Sequence, residues 1–597
     1  MTKIILSVAT VSLLTTALSA NLNDSEITIS SATKSEQSIK DVTSNIEVIT
    51  GAELESKNIT TISEALNLVS GIDYTSNGGM GKSTSVTLRG MSSKRILVLI
   101  DGVRFNDITG LSGAPFADLM INNIKQIEVI KGAQSGVWGA DASAGVINII
   151  TKNEKIGTHG SANIEIGSFN TKKASFNISN RTKKAFIQIG INEISTDGFS
   201  AQVPNGDNVN DYEDDGYKNT TTTLKAGLNI DDDNKINLAH TIIKSDNEFD
   251  GFNAPNDALS KSESNHEFTS LNYNNKNKFS TVNIFAKNSS LNRYYPNGWT
   301  KDYNGRVKEY GFKSKVTYNK KDFTVFGIDY KSFEHKNTID KQYNNKAFFI
   351  TNSNNLKALL GGDTIVTQSL RRDTYDVFKN KTTGKIGLKH NYKFLKDFSS
   401  SANYGTAYNV PTLYNLYSAY GNENLTPEET KSYDLTLSYK NTNISYFSSK
   451  TNDMIEYDFS TSKYSNSEDS IEVRGIEFSY KQAVGIESFL KLSYTRLNGE
   501  SIRRKAKEQM KVSVDYFGIK KLHLNINGIY VGERFDDSAK TKQTGKYTVS
   551  NFIANYKLIK NTTVYAKVNN ITDKYYQTID GYSSSPRAYY AGLKVKF

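Results

Sequence analysis

Cysteine is absent from the 597 residues, so disulfides cannot contribute to the stability of this chain. Histidine is scarce, with six residues scattered along the sequence, and neither a G-x-S-x-G run nor an H-E-x-x-H run occurs. The residue types that usually build nucleophile–base pairs or zinc sites are therefore missing or dispersed. These absences argue against an enzyme, and we expect no catalytic cofactor.

Long apolar runs are also missing. After the first 20 residues no stretch reaches 18 consecutive apolar residues, so the sequence predicts no membrane-spanning helix. The formal net charge is +11, but lysine is scattered among abundant asparagine and isoleucine instead of clustering with aromatic residues. A nucleic-acid groove would need such a cluster. We therefore expect no nucleic-acid partner, and attraction to anionic lipid headgroups stays open.

The first 20 residues, MTKIILSVATVSLLTTALSA, have the order of a secretory signal peptide: one lysine, an apolar run, and small residues at the end. We expect cleavage after Ser19 or Ala20. A short membrane anchor is the alternative, but the apolar run is shorter than the ~20 residues that a helix needs to cross a bilayer. The chain is therefore predicted to be exported, with a tail at residues 21–34.

Residues 35–152 predict a small mixed α/β domain. Between Thr60 and Gly71, Thr61 and Glu64 have the spacing of a capping box, and Gly71 would end the helix. The apolar residues of this stretch recur with helical spacing: Ile62, Ala65, Leu66 and Val69. Four short strands follow, with the sequences SVTLRG, RILVLIDG, QIEVIKG and GVINIIT.

Residues 153–597 show a different pattern. Segments of about ten residues alternate apolar with polar and are separated by connectors rich in Asn, Asp and Gly, as transmembrane strands require. In TLKAGLNI, for example, Leu224 and Leu228 share one face, whereas Lys225 and Asn229 share the other. The same alternation occurs in LHLNIN and VYAKVN.

This alternation continues for about 440 residues without a helical interlude, too long for one soluble sheet. In lipid, only a closed barrel satisfies every backbone group of such strands. At ~20 residues per strand and connector, the segment predicts an antiparallel transmembrane β-barrel of ~22 strands, a size class whose lumen is plugged. The N-terminal domain would be the plug. Long polar segments at Thr196–Thr220 and Lys244–Glu267 are expected on the extracellular side.

Several motifs support one family. VTLRGMSSKRILVLIDGVRFND and IEVIKGAQSGVWGADASAGVINIITK resemble the plug pattern of the TonB-dependent outer-membrane receptors. YGTAYNVPTLYNLYSAYGNENLTPEETKSYDL resembles their mid-barrel motif, and the end of the chain, YYAGLKVKF, resembles their C-terminal motif. The resemblance covers essentially the whole mature chain. Within the family, the chain is most similar to the cobalamin receptors.

The resemblance implies active import of cobalamin or a related corrinoid across the outer membrane of a Gram-negative bacterium. Energy would come from the inner membrane through TonB and the ExbB–ExbD complex, with no reaction on the substrate. The barrel would contact lipid and lipopolysaccharide as a monomer. A ferric-siderophore receptor of the same family is the nearest alternative, and a passive porin or adhesin is an alternative from another class. The mid-barrel motif contains no histidine, which argues against a haem receptor.

The resemblance also suggests ligand contacts. On the plug, apolar and polar groups at the loop apices would meet the faces and amides of a large ligand; the alternative is that these are only glycine-rich turns. On the barrel, the run SIRRKAKEQ resembles one whose arginine contacts the ligand, and GERFDD has Phe where Tyr would be expected. The candidates are Ser83, Ser85, Ser92, Leu111, Ser112, Arg503, Arg504 and Phe535.

Acidic residues in two long loops predict structural calcium, because hard oxygen ligands in such numbers suit Ca²⁺. The resemblance supports calcium here, although Ser200 stands where a further Asp would be expected. The alternative is an ordinary solvated acidic loop. The candidate ligands are Asp211, Glu213, Asp215, Asp250 and Asp257.

Two arginines of the plug motif, Arg89 and Arg104, are expected to form ion pairs within the plug or against the barrel wall. The histidines are expected to be structural or solvated.

The tail contains a strand-forming segment, SEITISSAT, with no obvious sheet to pair with. An unpaired edge is normally a liability. By position it resembles the Ton box, which would add itself as a strand to the edge of a sheet in TonB. The residues expected to bind TonB are Glu26, Ile27, Thr28, Ile29, Ser30 and Ser31.

Overall fold

A computed structural model of the protein describes residues 27–110, 113–153, 155–251, 255–319, 321–357, 362–499 and 503–597. Within these residues the chain forms a short tail, a small N-terminal domain, and a closed β-barrel that surrounds that domain. The predicted signal peptide lies outside the described residues.

The tail and the small domain, which we call the plug, contain short strands and helices. They are β1 Thr28–Ile29, β2 Gln37–Ser38, β3 Ile46–Thr50, α1 Gly51–Ser56, α2 Ile62–Leu66, β4 Ile72–Ser76, β5 Thr84–Leu88, β6 Ile96–Ile100, β7 Val103–Arg104, β8 Ile124–Lys131, α3 Ser135–Trp138 and β9 Gly145–Thr151. Short 3-10 turns lie at Ile39–Asp41, Ser93–Arg95 and Phe116–Asp118. No helix in the described ranges is long and apolar enough to cross a membrane.

The plug is built on one five-stranded sheet in the order β3-β8-β9-β6-β7, in which β6 and β9 run parallel. β4 and β5 form a separate hairpin. The four strands predicted from the sequence correspond to β5, β6, β8 and β9, so this part of the prediction is confirmed. The core between the sheet and the helices is aliphatic, and Ile49, Leu66, Val98 and Ile127 are at most 1% exposed.

The predicted helix is present but shorter than expected. The Thr61 hydroxyl accepts a hydrogen bond from the Glu64 amide, as a helix cap requires, and the Glu64 carboxylate accepts one from the Thr60 amide. The helix nevertheless ends at Leu66, before Gly71. After Leu66 the chain continues in tighter turns, in which the Leu68 amide donates to the Ala65 carbonyl and the Val69 amide to the Leu66 carbonyl, both at 3.0 Å. The Gly71 amide then donates to Thr495 of the barrel wall at 2.9 Å.

The barrel is a closed sheet of 22 antiparallel strands, as predicted. They are β10 Gly157–Gly167, β11 Thr171–Arg181, β12 Ala185–Thr196, β13 Tyr217–Asn229, β14 Asn234–Glu248, β15 Lys261–Lys276, β16 Ser280–Tyr294, β17 Asp302–Thr317, β18 Phe323–Lys336, β19 Lys341–Leu356, β20 Gly362–Tyr375, β21 Lys381–Tyr392, β22 Phe398–Asn409, β23 Glu428–Tyr439, β24 Thr442–Asn452, β27 Ile471–Val484, β28 Ser488–Asn498, β29 Glu508–Ile519, β30 Leu522–Val531, β31 Tyr547–Ile559, β32 Thr562–Asn569 and β33 Ala588–Lys596. Pairing of β10 with β33 closes the sheet.

The connections at the two ends of the barrel differ in length. At one end the strands are joined by tight turns, such as residues 440–441, 520–521 and 560–561. At the other end the loops are long, and they contain α4 Leu413–Tyr417, the hairpin of β25 Ile455–Asp458 with β26 Lys463–Asn466, and a 3-10 turn at Val209–Asp211. The two long polar loops predicted from the sequence are shorter than expected, because β13, β14 and β15 extend into them.

The two faces of the barrel strands differ in polarity. On β12, Ile187, Ile189 and Ile191 point outward and are 40–49% exposed, whereas Gln188 and Asn192 point into the lumen and are at most 4% exposed. A barrel in lipid needs this arrangement, because its outer band is apolar and its lumen polar. The predicted alternation is therefore confirmed.

Ion pairs join the plug to the lumen wall. Arg89 donates to both carboxylate oxygens of Glu477 on β27, at 3.1 and 3.0 Å, and both side chains are buried. Lys225 of β13 lies 3.0 Å from Asp101 of the plug. Arg104 pairs at 2.5 Å with Asp141, also in the plug. The predicted roles of Arg89 and Arg104 are thus confirmed.

Candidate functional site

The plug presents different segments at the two ends of the barrel. At the end with tight turns, Asp41 pairs with Lys321 at 2.9 Å, so the tail and the start of the plug lie there. At the end with long loops, plug segments reach outward at residues 77–83, 91–95, 106–110 and 113. A ligand arriving from the long-loop side would meet these segments first.

A cavity of about 280 Å³ lies between the plug and the barrel at the long-loop end. We call it the floor cavity. The plug contributes residues 106–108, Gly110, Gly113, Lys94 and Asp141, and the barrel contributes apolar and amide side chains. The barrel lining consists of Tyr343, Asn409, Val410, Pro411, Thr412, Asn415, Glu428, Ile455, Tyr457 and Tyr464. Such a mixture of aromatic faces and a few fixed polar groups is typical of small-molecule sites.

The charged groups that line the floor cavity are paired. Lys94 lies 3.1 Å from Glu428, and its ammonium also donates to the Ile455 carbonyl at 3.0 Å. Asp141 accepts from Arg104, and although this guanidinium opposes the effect, burial raises the pKa of the Asp141 carboxyl. The fourth lining charge, Asp107, accepts a hydrogen bond from Arg293 of the wall at 2.5 Å. Because these charges are compensated, the cavity offers mainly aromatic and amide contacts.

A row of aromatic rings continues from the cavity along the loops. The ring centroids of Tyr414 and Tyr464 are 6.3 Å apart, those of Tyr464 and Tyr457 5.4 Å, and those of Tyr457 and Phe459 5.1 Å. Tyr414 is placed by α4, whose capping box is formed by Thr412 with Asn415. The sequence analysis missed this row, although the density of tyrosine in YNVPTLYNLYSAYG is its signal.

Among the predicted plug contacts, Ser83, Ser85 and Ser92 do not line the floor cavity. Ser83 is exposed, the hydroxyl of Ser85 lies 3.2 Å from that of Ser93, and the Ser92 hydroxyl accepts a hydrogen bond from Arg95. Leu111 and Ser112 lie outside the described residues. Their neighbours Gly110 and Gly113 line the cavity, so the loop that carries them reaches the site. The assignment of these residues to the ligand stays a prediction.

The barrel residues predicted to contact the ligand lie on two loops that are bonded to each other. Arg504 forms an ion pair with Asp536, and its amide donates to the Phe535 carbonyl at 2.7 Å. Arg503 is exposed and donates to the Asp536 carbonyl at 2.5 Å. The loop that carries Arg503 and Arg504 is therefore held by hydrogen bonds to the loop that carries Phe535 and Asp536. A ligand role for the three predicted residues stays a prediction.

The next residue of the same loop, Lys505, lies beside the plug. Burial, together with repulsion by Arg95 and Lys94, lowers its pKa to about 7. A Cβ atom placed on Gly90 would lie 3.8 Å from Cδ of Lys505. Sequence reasoning missed this lysine because the resemblance drew attention to the adjacent arginines.

Four of the five predicted calcium ligands, Glu213, Asp215, Asp250 and Asp257, lie close enough to perturb one another. Asp211 is exposed, and Glu213 and Asp257 are partly exposed, whereas Asp215 and Asp250 are buried. The described residues contain no group of three or more His, Cys, Asp or Glu side chains placed to hold a metal ion. Burial, together with the nearby Asp250 carboxylate, raises the pKa of Asp215 to about 7. The arrangement as it stands does not fit a calcium ion, and calcium binding stays a prediction.

At the opposite end, the tail segment is paired, not free as the sequence suggested. β1 pairs with β2, and Ile29 is 1% exposed in an apolar cluster with Val42, Val48 and Ile130. The strand is short enough to fold back on its own tail, and burial of Ile29 stabilises that arrangement. Glu26 lies outside the described residues.

One carboxylate of the plug sheet holds the tail in place. Glu128 on β8 accepts hydrogen bonds from the Ser30 and Ser31 amides, at 3.2 and 2.9 Å, and from the Ser31 hydroxyl. The Ser31 carbonyl accepts from the Trp138 indole at 2.7 Å, and the Thr28 carbonyl accepts from the side-chain amide of Gln126 at 2.9 Å. The segment is therefore docked on the plug through its backbone.

Two family models match the chain. "TonB dependent receptor-like, beta-barrel" matches residues 164–571, and "TonB-dependent Receptor Plug Domain" matches residues 38–146. Among curated proteins, the chain is 27% identical to a vitamin B12 transporter BtuB of Vibrio cholerae, with all of both chains covered. It is 26% identical to that of Photobacterium profundum, over 97% of this chain and 96% of the relative.

Solved structures with the same fold include siderophore receptors. The siderophore receptor PirA from Acinetobacter baumannii superimposes with a TM-score of 0.79 at 16% identity, covering 92% of this chain and 98% of PirA. A mutant of the ferric enterobactin receptor PfeA from Pseudomonas aeruginosa, in complex with enterobactin, gives a TM-score of 0.78 at 16% identity, covering 93% and 100%. At these identities the likeness shows the fold alone.

Proposed function

This chain belongs to the TonB-dependent receptor family, and from this premise we propose that it imports a corrinoid, with cobalamin as the leading candidate. The chain resembles the vitamin B12 transporters over its whole length, whereas its likeness to siderophore receptors is at the level of the fold. We place it in the outer membrane of a Gram-negative bacterium as a monomer in contact with lipid and lipopolysaccharide.

The floor cavity is the observation that carries the proposal. Its lining charges are paired, and what remains for a ligand is aromatic faces, amides and hydroxyls. A corrinoid is a large macrocycle with apolar faces and many peripheral amides, which such a lining suits. A ferric catecholate is a polyanion, and binding it here would leave charges uncompensated in a partly dry site.

In this proposal the docked tail is the segment that couples the receptor to TonB. Once segment 27–31 leaves Glu128 and β2, its backbone groups can add as a strand to a sheet edge in TonB. TonB with ExbB–ExbD would then deliver the energy for plug movement, since the outer membrane sustains no gradient of its own. The protein catalyses no reaction in this proposal.

Ligand binding to the purified protein in detergent tests the substrate. Cyanocobalamin and ferric enterobactin are titrated separately and followed by tryptophan fluorescence. We expect tight binding of cyanocobalamin and weak or absent binding of ferric enterobactin. Tight binding of the ferric chelate without affinity for cyanocobalamin would overturn the corrinoid proposal.

The alternative substrate, a ferric siderophore, is favoured by one observation. Beside the plug, the cationic side chains of Lys94, Arg95 and Lys505 lie close enough to repel one another. An anionic ligand would relieve this repulsion. The binding experiment above decides between the two ligands.

A passive porin or adhesin is the alternative from another class. Deleting residues 25–33 distinguishes it from energised import. We expect the deletion to abolish corrinoid uptake while the affinity of the purified protein stays unchanged. Unchanged uptake would favour passive entry.

A further inference from the structure

A buried lysine at the tip of the plug holds several oxygens around its ammonium. Lys82 is 1% exposed, and its Nζ lies 2.9 Å from Oδ1 of Asn247, 3.1 Å from the Asp215 carbonyl, 3.3 Å from the Gly216 carbonyl and 3.3 Å from the Met80 carbonyl. An ammonium has three protons, so four acceptors more than satisfy it. The site is therefore a complete oxygen cage around a positive charge.

The cage joins three separate parts of the molecule. Met80 belongs to the plug loop 77–83, Asp215 and Gly216 end the extracellular loop 197–216, and Asn247 lies on β14. The same extracellular loop is tied to loop 570–587, where the Val203 amide donates to the Gly581 carbonyl at 3.0 Å. Lys82 thus fixes a large part of the rim to the plug.

Two glycines show how closely the plug loop approaches this rim. A Cβ on Gly81, which has φ +81°, would lie 2.0 Å from the Tyr217 ring, and a Cβ on Gly78 would lie 2.9 Å from Cα of Ala201. No side chain fits at either position. The plug loop therefore approaches the rim closely enough for the Lys82 side chain to reach Asp215 and Gly216.

Two of the nearby carboxylates, those of Asp215 and Asp250, accept hydrogen bonds from the chain itself, whereas Oε1 of the neighbouring Glu213 has no hydrogen-bond partner among the described residues. Asp250 accepts from the Gln202 amide at 2.6 Å and from the Ser200 hydroxyl at 3.1 Å, and Asp215 accepts from the Ala201 amide at 2.6 Å. Ser200 is the position where the sequence resemblance led us to expect another acid. Its hydroxyl donates to Asp250, whereas a further carboxylate would need a cation.

We propose that Lys82 is a positioning residue whose ammonium holds loop 197–216 against the plug without a metal ion, so that the loop follows the plug when it moves. This inference deepens the proposed function, since the loop then forms one wall of the corrinoid cup. Its test does not depend on the ligand.

Loop mobility in the full-length protein tests the inference. The chain has no cysteine, so Asn205→Cys, at an exposed position of the loop, gives a single site for a spin label. Mobility is measured in chelator and in millimolar calcium. We expect an immobile label under both conditions in the otherwise unchanged protein, and a mobile label in chelator after Lys82→Ala. In that variant calcium can occupy the vacated oxygens and recover part of the order.

Controls separate this role from misfolding. Lys125→Met changes an exposed plug lysine and should leave the label immobile, and a heat-modifiable gel shift reports the closed barrel. Asn247→Leu removes an acceptor from the wall side and should loosen the loop less than Lys82→Ala.

Three results would overturn the inference. The first is a label that is mobile in chelator and immobilised by calcium when Lys82 is present. The second is an immobile label after Lys82→Ala. The third is a Lys82→Ala loop that does not respond to calcium, because a lysine that only packs would give that result. Absence of corrinoid binding would instead count against the proposed function alone.

Discussion

Removing the charge of Glu477 should loosen the plug within an intact barrel. In Glu477→Gln, Arg89 stays buried at 3% exposure without the carboxylate that it now contacts at 3.0 and 3.1 Å. Lys131, the other partner of Glu477, keeps the Ser70 hydroxyl at 2.6 Å, so the loss falls mainly on Arg89. Breaking a buried ion pair by removing one partner costs about 3–5 kcal/mol. We expect the lower end, because glutamine still accepts one hydrogen bond.

Urea titration of the plug measures this loss. The protein has two tryptophans, of which Trp138 is partly buried in the plug and Trp299 is fully exposed in a barrel loop. In a Trp299→Phe background, fluorescence therefore reports the plug, while circular dichroism follows the barrel. With a slope of about 1.5 kcal/mol per M, a loss of about 3 kcal/mol lowers the plug midpoint by about 2 M urea.

A matched control lies on the same strand. Glu472 is 40% exposed and lies 3.6 Å from Arg474, which is 54% exposed. Such a surface pair contributes about 0.2–1 kcal/mol, so Glu472→Gln should shift the midpoint by less than about 0.7 M. If Glu477→Gln shifts the midpoint no more than this control, the ion pair does not hold the plug. Combining Arg89→Met with Glu477→Gln should recover most of the loss, because the buried guanidinium is then absent and Lys131 keeps the Glu47 carboxylate at 3.7 Å.

The remaining predictions concern the tail and the ligand site. Glu128→Gln should weaken docking of the tail on the plug by about 1.5–3 kcal/mol, so that a spin label at Thr28→Cys becomes more mobile. An unchanged spectrum would contradict the role of Glu128 in holding the tail. Burial lowers the pKa of Lys34 to about 7 from the usual 10.5, so docking of the tail releases a proton. Docking should therefore strengthen by about 1.4 kcal/mol per pH unit as the pH rises above 7, and the same label should be less mobile at about pH 8.5 than at pH 7; the opposite trend would refute this sign. Tyr457→Ala should raise the Kd of the ligand about tenfold through loss of an aromatic face, whereas Phe394→Ala, at the tight-turn end, should not change the Kd.

The barrel could be predicted from the sequence because the alternation of apolar and polar residues along each strand is a local pattern. Alternation along each strand assigns a face to every residue, and the number of segments sets the size of the barrel. On β12, Gln188 and Asn192 turned inward as their spacing requires. The plug strands could be identified for the same reason, since each is a short apolar run between glycines.

The contacts that define the site could not be predicted in this way. Lys82 and Asn247 are 165 residues apart, and Arg89 and Glu477 are 388 residues apart. Which wall residue meets which plug residue depends on the rotation of the plug in the barrel, and no local pattern encodes that rotation. The docked tail was missed for a related reason, because the partner that buries Ile29 is assembled from β3 and β8.

The position of β8 determines where a force on the tail would act on the plug sheet. This strand lies inside the sheet between β3 and β9; Glu128 holds the tail near its middle, and Lys131, three residues later, contacts Glu477 of the wall at 3.2 Å. A pull on the tail, as the proposed coupling requires, would therefore act on an interior strand that is itself anchored to the barrel. Because the anchor is polar, water can replace it bond by bond as it yields. Such a load would reach the interior of the sheet before its edge strand β7.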